Sequence, residues 1–139
     1  MGLVISRAHL AAIRAHADAA GAEECCGLLL GDPASGRVQA IQPAPNVAAQ
    51  PVHFFEIDPA TLLAAYRAAR RGGPAVIGHY HSHPHGTDEP SAVDAAMAER
   101  RGEIWLILGG DGTARAWRAG PDGPWHGCFT PLPLASDSD

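Results

Sequence analysis

His81-Ser82-His83-Pro84, followed after six residues by Ser91 and then by Asp94, constrains the fold of this chain more than any other stretch. Two imidazoles one residue apart can act together on an extended segment, where residues i and i+2 point the same way about 6.6 Å apart. Ser91 and Asp94 share a face if they lie on a helix. A chain that uses both sets must bring the end of a strand to the start of a helix. Two imidazoles and a carboxylate suit zinc, whereas calcium and magnesium prefer oxygen ligands alone. Three protein ligands also leave a fourth tetrahedral position open, the arrangement of a catalytic zinc site. His79 and His85 continue the alternation, so periodicity alone does not choose a pair. Pro84 and the Ser-x-x-Asp register select His81, His83 and Asp94, with His79 expected to pack behind them. Pro84 also removes a ladder donor and turns the chain out of the sheet, which frees His85 to Pro90 to cross the site as an exposed loop.

A second element fits the same chemistry. Glu24-Cys25-Cys26-Gly27-Leu28-Leu29-Leu30-Gly31 reads as a carboxylate at the start of a short buried strand bounded by glycines. Such a carboxylate is costly without a partner. A water on a zinc ion is one, and a Glu beside it can take its proton as general base. Alone, Glu24 would be a solvated strand end; beside the histidine pattern it becomes a candidate base.

Together, the Glu24–Gly31 segment, Gly78-His79-Tyr80-His81-Ser82-His83-Pro84 and Ser91-Ala92-Val93-Asp94 resemble the JAMM (MPN-type) metallopeptidases, most of all their short bacterial branch. The likeness covers about residues 3 to 118. It implies an α+β fold, a curved mixed sheet flanked by helices in a cytidine-deaminase-like sandwich. It also implies one Zn2+ on His81, His83 and Asp94, water activation by Glu24, and a tetrahedral intermediate steadied by Ser91. The family cleaves peptide or isopeptide bonds, often after the C-terminal diglycine of ubiquitin or ubiquitin-like proteins. The bacterial likeness implies a protein partner with a flexible C-terminal tail, such as a ubiquitin-like sulfur-carrier protein. The sequence leaves a sheet edge near the metal as a place where such a tail could add as a strand.

Two other functions compete. A zinc peptidase for small or cell-wall peptides would be expected to carry a secretion signal and a wall-binding domain, and neither is read here. A non-catalytic interaction scaffold of the same fold would lack a ligand or the Glu, and this chain has all of them.

At 139 residues the chain is read as a single domain over residues 1–134 with a frayed polar tail at 135–139. A net charge of −5 argues against a nucleic-acid partner, which would select a basic stripe. All ten basic residues are arginine, which goes with the abundant Ala, Gly and Pro as coding bias. The three cysteines, Cys25, Cys26 and Cys128, form no framework of spacings and read as free thiols in a reducing, cytoplasmic setting. Cys25 and Cys26, adjacent on a strand, should pack on opposite faces. No run reaches membrane-spanning length.

Apolar periodicity and punctuation predict a strand over Leu3–Ile5, then a helix capped by Ser6 and ended by Gly21. Strands follow at 25–30 and 38–41, a proline-rich loop at 43–51, and a short strand at 53–57. Asp58-Pro59 opens a helix to about Arg71 with Leu62, Leu63 and Tyr66 facing inward. The histidine strand at 75–82, a helix from Ser91 to Arg101, and a hairpin of 104–108 with 113–118 complete the pattern.

Overall fold

The computed structural model describes residues 2–137. In chain order the elements are β1 (Leu3–Ser6), α1 (Arg7–Ala20), β2 (Cys26–Asp32), β3 (Arg37–Ala44), α2 (Pro59–Arg70), β4 (Ala75–His83), α3 (Ala92–Met97), β5 (Ile104–Gly109), β6 (Ala114–Ala119), β7 (Phe129–Leu132) and β8 (Leu134–Asp137). The strands form one eight-stranded mixed sheet in the order β7-β6-β5-β4-β2-β3-β1-β8. β4, which carries the histidines, lies inside it, antiparallel to β2 and parallel to β5. The α+β architecture expected from the sequence is the one observed.

Strand alternation sorts the side chains onto two apolar layers. Leu3, Ile5, Ile13, Cys25, Leu29, Tyr80 and Leu106 make the layer under α1. Cys26, Phe55, Trp105, Ile107, Trp117 and Phe129 make the other, the face that also receives the histidines. Cys25 and Cys26 thus pack on opposite sides, as adjacent strand residues must. Trp105, Trp117 and Phe129 are fully buried, and each contributes roughly 2–3 kcal/mol of hydrophobic stabilisation.

The helices follow their caps. The Ser6 hydroxyl accepts from the His9 amide and opens α1, and Gly21 closes it at a positive φ of 62°. Asp58 accepts from the Thr61 amide and opens α2, with Pro59 in the first turn. The inward face expected for α2 is not observed. Leu63 and Tyr66 are exposed, Leu62 is half-buried, and Ala65 alone of the helix is buried, although α2 packs beside the interior strand β4. α3 also stops early, at Met97 rather than Arg101. The Glu103 carboxylate accepts from the amides of Glu99, Arg100 and Arg101, and these bonds turn the chain before another helical turn can form.

Three further segments differ from expectation. Residues 53–57 are not a strand; Asn46 and Ile57 form an isolated bridge, and the Asn46 side chain bonds the Phe54 carbonyl and the Glu56 amide between them. β7 was not anticipated, since Pro131 and Pro133 flank and interrupt it; it pairs with β6 at the sheet edge, where a missing donor is tolerated. Residues 135–137 of the expected frayed tail are part of β8, parallel to β1, with Asp137 paired to Arg37; residues 138 and 139 lie outside the described residues.

Candidate metal centre

β4 ends in His81-Ser82-His83, and alternation sends His81 and His83 to one face and Ser82 to the other. α3 then brings Asp94 to the same place. Its start is a capping box: the Asp94 amide donates to Ser91 Oγ (3.0 Å) and the Ser91 amide donates to Asp94 Oδ2 (2.9 Å). The result is a tight cluster. His81 Nε2 lies 3.2 Å from Asp94 Oδ1, His83 Nε2 lies 3.1 Å from Asp94 Oδ2, and the two Nε2 atoms are 2.9 Å apart. His81 and Asp94 are buried and His83 is nearly so.

The donor set fits a metal ion for a reason visible in its hydrogen bonds. His83 Nδ1 lies 2.8 Å from the Thr87 carbonyl, which can only accept, so that nitrogen carries the ring proton. With Nδ1 committed to Thr87, His83 presents its Nε2 to the His81 nitrogen and to Asp94. With the Nε2 protons lost, two lone pairs and a carboxylate would converge on one point, and an ion with nitrogen and oxygen ligands would supply the positive charge they call for. The pKa directions differ between the two rings. Burial holds His81 below its ordinary value, in the neutral form that binds metals. Burial also disfavours a charged His83, but the Asp94 hydrogen bond and charge outweigh it and raise that pKa. Asp94 is pulled far below the carboxylate range: burial opposes this, but bonds from His81, His83 and the Ser91 amide prevail.

Glu24 stands just before β2. Cys26 pairs directly with His81, so continuing the antiparallel register places Glu24 opposite His83, on the histidine face. Its chain is held there from both sides. Ser82 Oγ accepts from the Cys25 amide (2.9 Å), the Ser82 amide donates to the Cys25 carbonyl (3.1 Å), and the Glu24 amide donates to the Pro51 carbonyl (2.8 Å). Burial pushes the Glu24 carboxyl up to about 7, with His83 lowering it and Asp94 raising it to smaller extents. Such a carboxyl is poised to exchange a proton near neutrality.

All five residues singled out from the sequence, Glu24, His81, His83, Ser91 and Asp94, thus lie in one region. His79 does not join the cluster; it packs against Trp105 at 4.5 Å between ring centroids. His85 is exposed. Three contributors were not singled out. Phe55 stacks on His81 at 4.2 Å and 19°, and its signal was hidden in a segment read as a strand. Trp117 Nε1 donates to the Asp88 carbonyl (3.0 Å) and Arg115 pairs with Glu89 (3.5 Å), pinning the loop that joins His83 to Ser91. Among the described residues β4 itself offers no free edge to an added strand, because β2 and β5 pair with both its sides. No helix among the described residues is long and apolar enough to cross a membrane.

Comparison with known proteins agrees with this geometry. The family described as prokaryotic homologs of the JAB domain matches residues 6–120. A desampylase from Haloferax volcanii is 40% identical over 96 residues, 68% of this chain and 69% of its own length. A probable TtuB-protein conjugate cleaving protease from Thermus thermophilus is 36% identical over 110 residues, 79% of this chain and 72% of its own. In fold, a JAB1/MPN domain protein from Archaeoglobus fulgidus superposes with a TM-score of 0.63 over 98% of each chain at 20% identity.

Proposed function

The chain belongs to the prokaryotic JAB-domain family, a JAMM-type hydrolase, and from that premise we propose a zinc-dependent peptidase or isopeptidase acting at the C-terminal tail of a ubiquitin-like or sulfur-carrier protein. The observation that carries this reading is the convergence of two imidazoles and one carboxylate with a second, separately held carboxyl whose pKa is near 7. The relatives named for desampylation and for cleaving TtuB–protein conjugates support a protein conjugate as substrate. Three buried free thiols fit a cytoplasmic location.

His81, His83 and Asp94 would hold the ion, and zinc bound there would polarise the scissile carbonyl and acidify a water at its open position. Glu24 takes the proton from the attacking water and returns it to the amine that leaves as the carbon–nitrogen bond breaks. Ser91 Oγ already accepts from the Asp94 amide, so its own O–H remains to donate to the oxygen of the tetrahedral carbon. Trp105 and Phe55 close the back of the site and keep the His81 imidazole away from bulk water.

The test is cleavage of a diglycine-ended ubiquitin-like protein carrying a lysine-linked or short C-terminal extension, read by mass spectrometry. Cleavage at one zinc per chain, lost with chelator and restored by zinc, is the expected result. No cleavage of either linkage at full zinc occupancy would overturn the proposal.

A further inference from the structure

Residues 45–58 connect β3 to α2 without regular structure, yet they border both halves of the proposed chemistry. The link is Asn46. Its Nδ2 donates to the Glu24 carbonyl (2.8 Å) and to the Phe54 carbonyl (3.0 Å). Its Oδ1 accepts from the Ala48 amide and from the Glu56 amide, both at 3.0 Å. Two carbonyls that only accept and two amides that only donate fix the orientation of the group, and one carboxamide uses its full hydrogen-bonding capacity. Two of these four bonds hold the peptide groups on either side of Phe55, whose ring stacks on His81. A third holds the residue that bears the proposed base.

The His81 ring needs that support. A ligating histidine is commonly oriented by a hydrogen bond from its other ring nitrogen. His83 has one, to Thr87, whereas His81 Nδ1 is buried without a partner among the described residues. The stacked Phe55 at 4.2 Å, with Trp105 edge-on at 5.5 Å, is what sets the His81 plane.

We propose that Asn46 is a positioning residue: its single carboxamide sets the Glu24 backbone and, through Phe55, the His81 ring in fixed relation to each other. The inference rests on the hydrolase reading above. Removing Asn46 should displace the base relative to the metal and loosen the ring that binds it, without touching any group that meets the substrate.

Asn46→Asp tests this, because it keeps the acceptor atoms and loses both donors. With zinc saturating, kcat for the diglycine-ended protein should fall about 100-fold while KM stays within about twofold, as for a misplaced catalytic group. The zinc dissociation constant, measured by chelator competition, should rise about tenfold or more. Asp58→Ala is the control. It removes the cap on α2, where Asp58 accepts from Thr61 at 3.1 Å, and destabilises the same region while leaving every Asn46 bond in place. It should lower the melting temperature with kcat and zinc affinity unchanged. An Asn46→Asp variant that behaves like Asp58→Ala would overturn the proposal. Asn46→Ala, which sets no charge against the two carbonyls, carries the same expectation should the aspartate variant not fold; failure of both to fold would make Asn46 a folding residue and overturn it as well. If the parent protein cleaves nothing, the hydrolase reading fails by itself, and the zinc affinities still decide the role of Asn46.

Discussion

Glu24→Gln should abolish hydrolysis and at the same time stabilise the metal-free protein, but only above acidic pH. The folded carboxyl is held at about 7 against an ordinary 4.5, chiefly by burial. The sign follows from proton counting. Between these values the unfolded chain has lost the Glu24 proton and the folded chain has kept it, so stability falls as pH rises through the interval and levels off above 7. At about 1.4 kcal/mol per pH unit, the interval corresponds to about 3 kcal/mol. Water at the open side of the site screens part of this, leaving about 2 kcal/mol. The amide has the same shape and never ionises, so the variant escapes the loss. Its advantage should be under about 0.5 kcal/mol at pH 4.5 and about 2 kcal/mol at pH 8, near 8 °C in melting temperature for a chain of this size. The assay is urea or thermal unfolding of both chelator-treated proteins at the two pH values, paired with the cleavage assay at full zinc, where loss of a general base should cost 10²–10⁴ in rate. Parallel stability curves would show that Glu24 is solvated, and the argument for it as a base tuned by burial would fail.

Three further outcomes are expected. Asp94→Asn should raise the zinc dissociation constant at least tenfold, because a neutral amide is the poorer ligand, while its oxygen can still accept from the Ser91 amide and preserve α3; metal analysis after dialysis checks this. Ser91→Ala should lower kcat roughly 100-fold at unchanged zinc content, and should also cost about 1 kcal/mol of stability in urea because the α3 cap is lost. Gly27→Ala should destabilise by about 1–3 kcal/mol in urea unfolding with zinc stoichiometry unchanged, since the added methyl meets the buried Tyr80 ring, which can shift only by disturbing the layer under α1.

What was legible in the sequence is what local rules control. Alternation on β4 sends His81 and His83 one way and Ser82 the other, and that needs only strand geometry. The Ser91 cap places Asp94 one turn into α3 by the same kind of local rule. Segments governed by distant partners were not legible. α3 is shortened by Glu103, a residue beyond its end, and β8 forms because β1 offers an edge from the other end of the chain. The apolar alternation of Phe55 and Ile57 suggests a strand, but only an isolated bridge forms, and the Asn46 side chain takes two of the bonds that a neighbouring strand would have given. The inward face expected for α2 assumed that apolar residues at helical spacing must be covered, and Leu63 and Tyr66 remain exposed.

The two carboxylates show why a sequence pattern that names residues does not by itself divide their labour. Asp94 and Glu24 carry the same functional group within one site, and their surroundings drive them apart. Asp94 is met by two imidazoles and a helix-start amide, so its charged form is favoured and it stays an anion suited to a cation. Glu24 has its backbone bound on every side, by Pro51 and Asn46, while its carboxyl enters a low-dielectric pocket that favours the proton. One carboxyl therefore holds charge at neutral pH and the other exchanges a proton there, which is the separation that acid–base catalysis beside a metal requires. That separation depends on residues 45–58 lying across the Glu24 backbone, a tertiary contact that neither motif encodes.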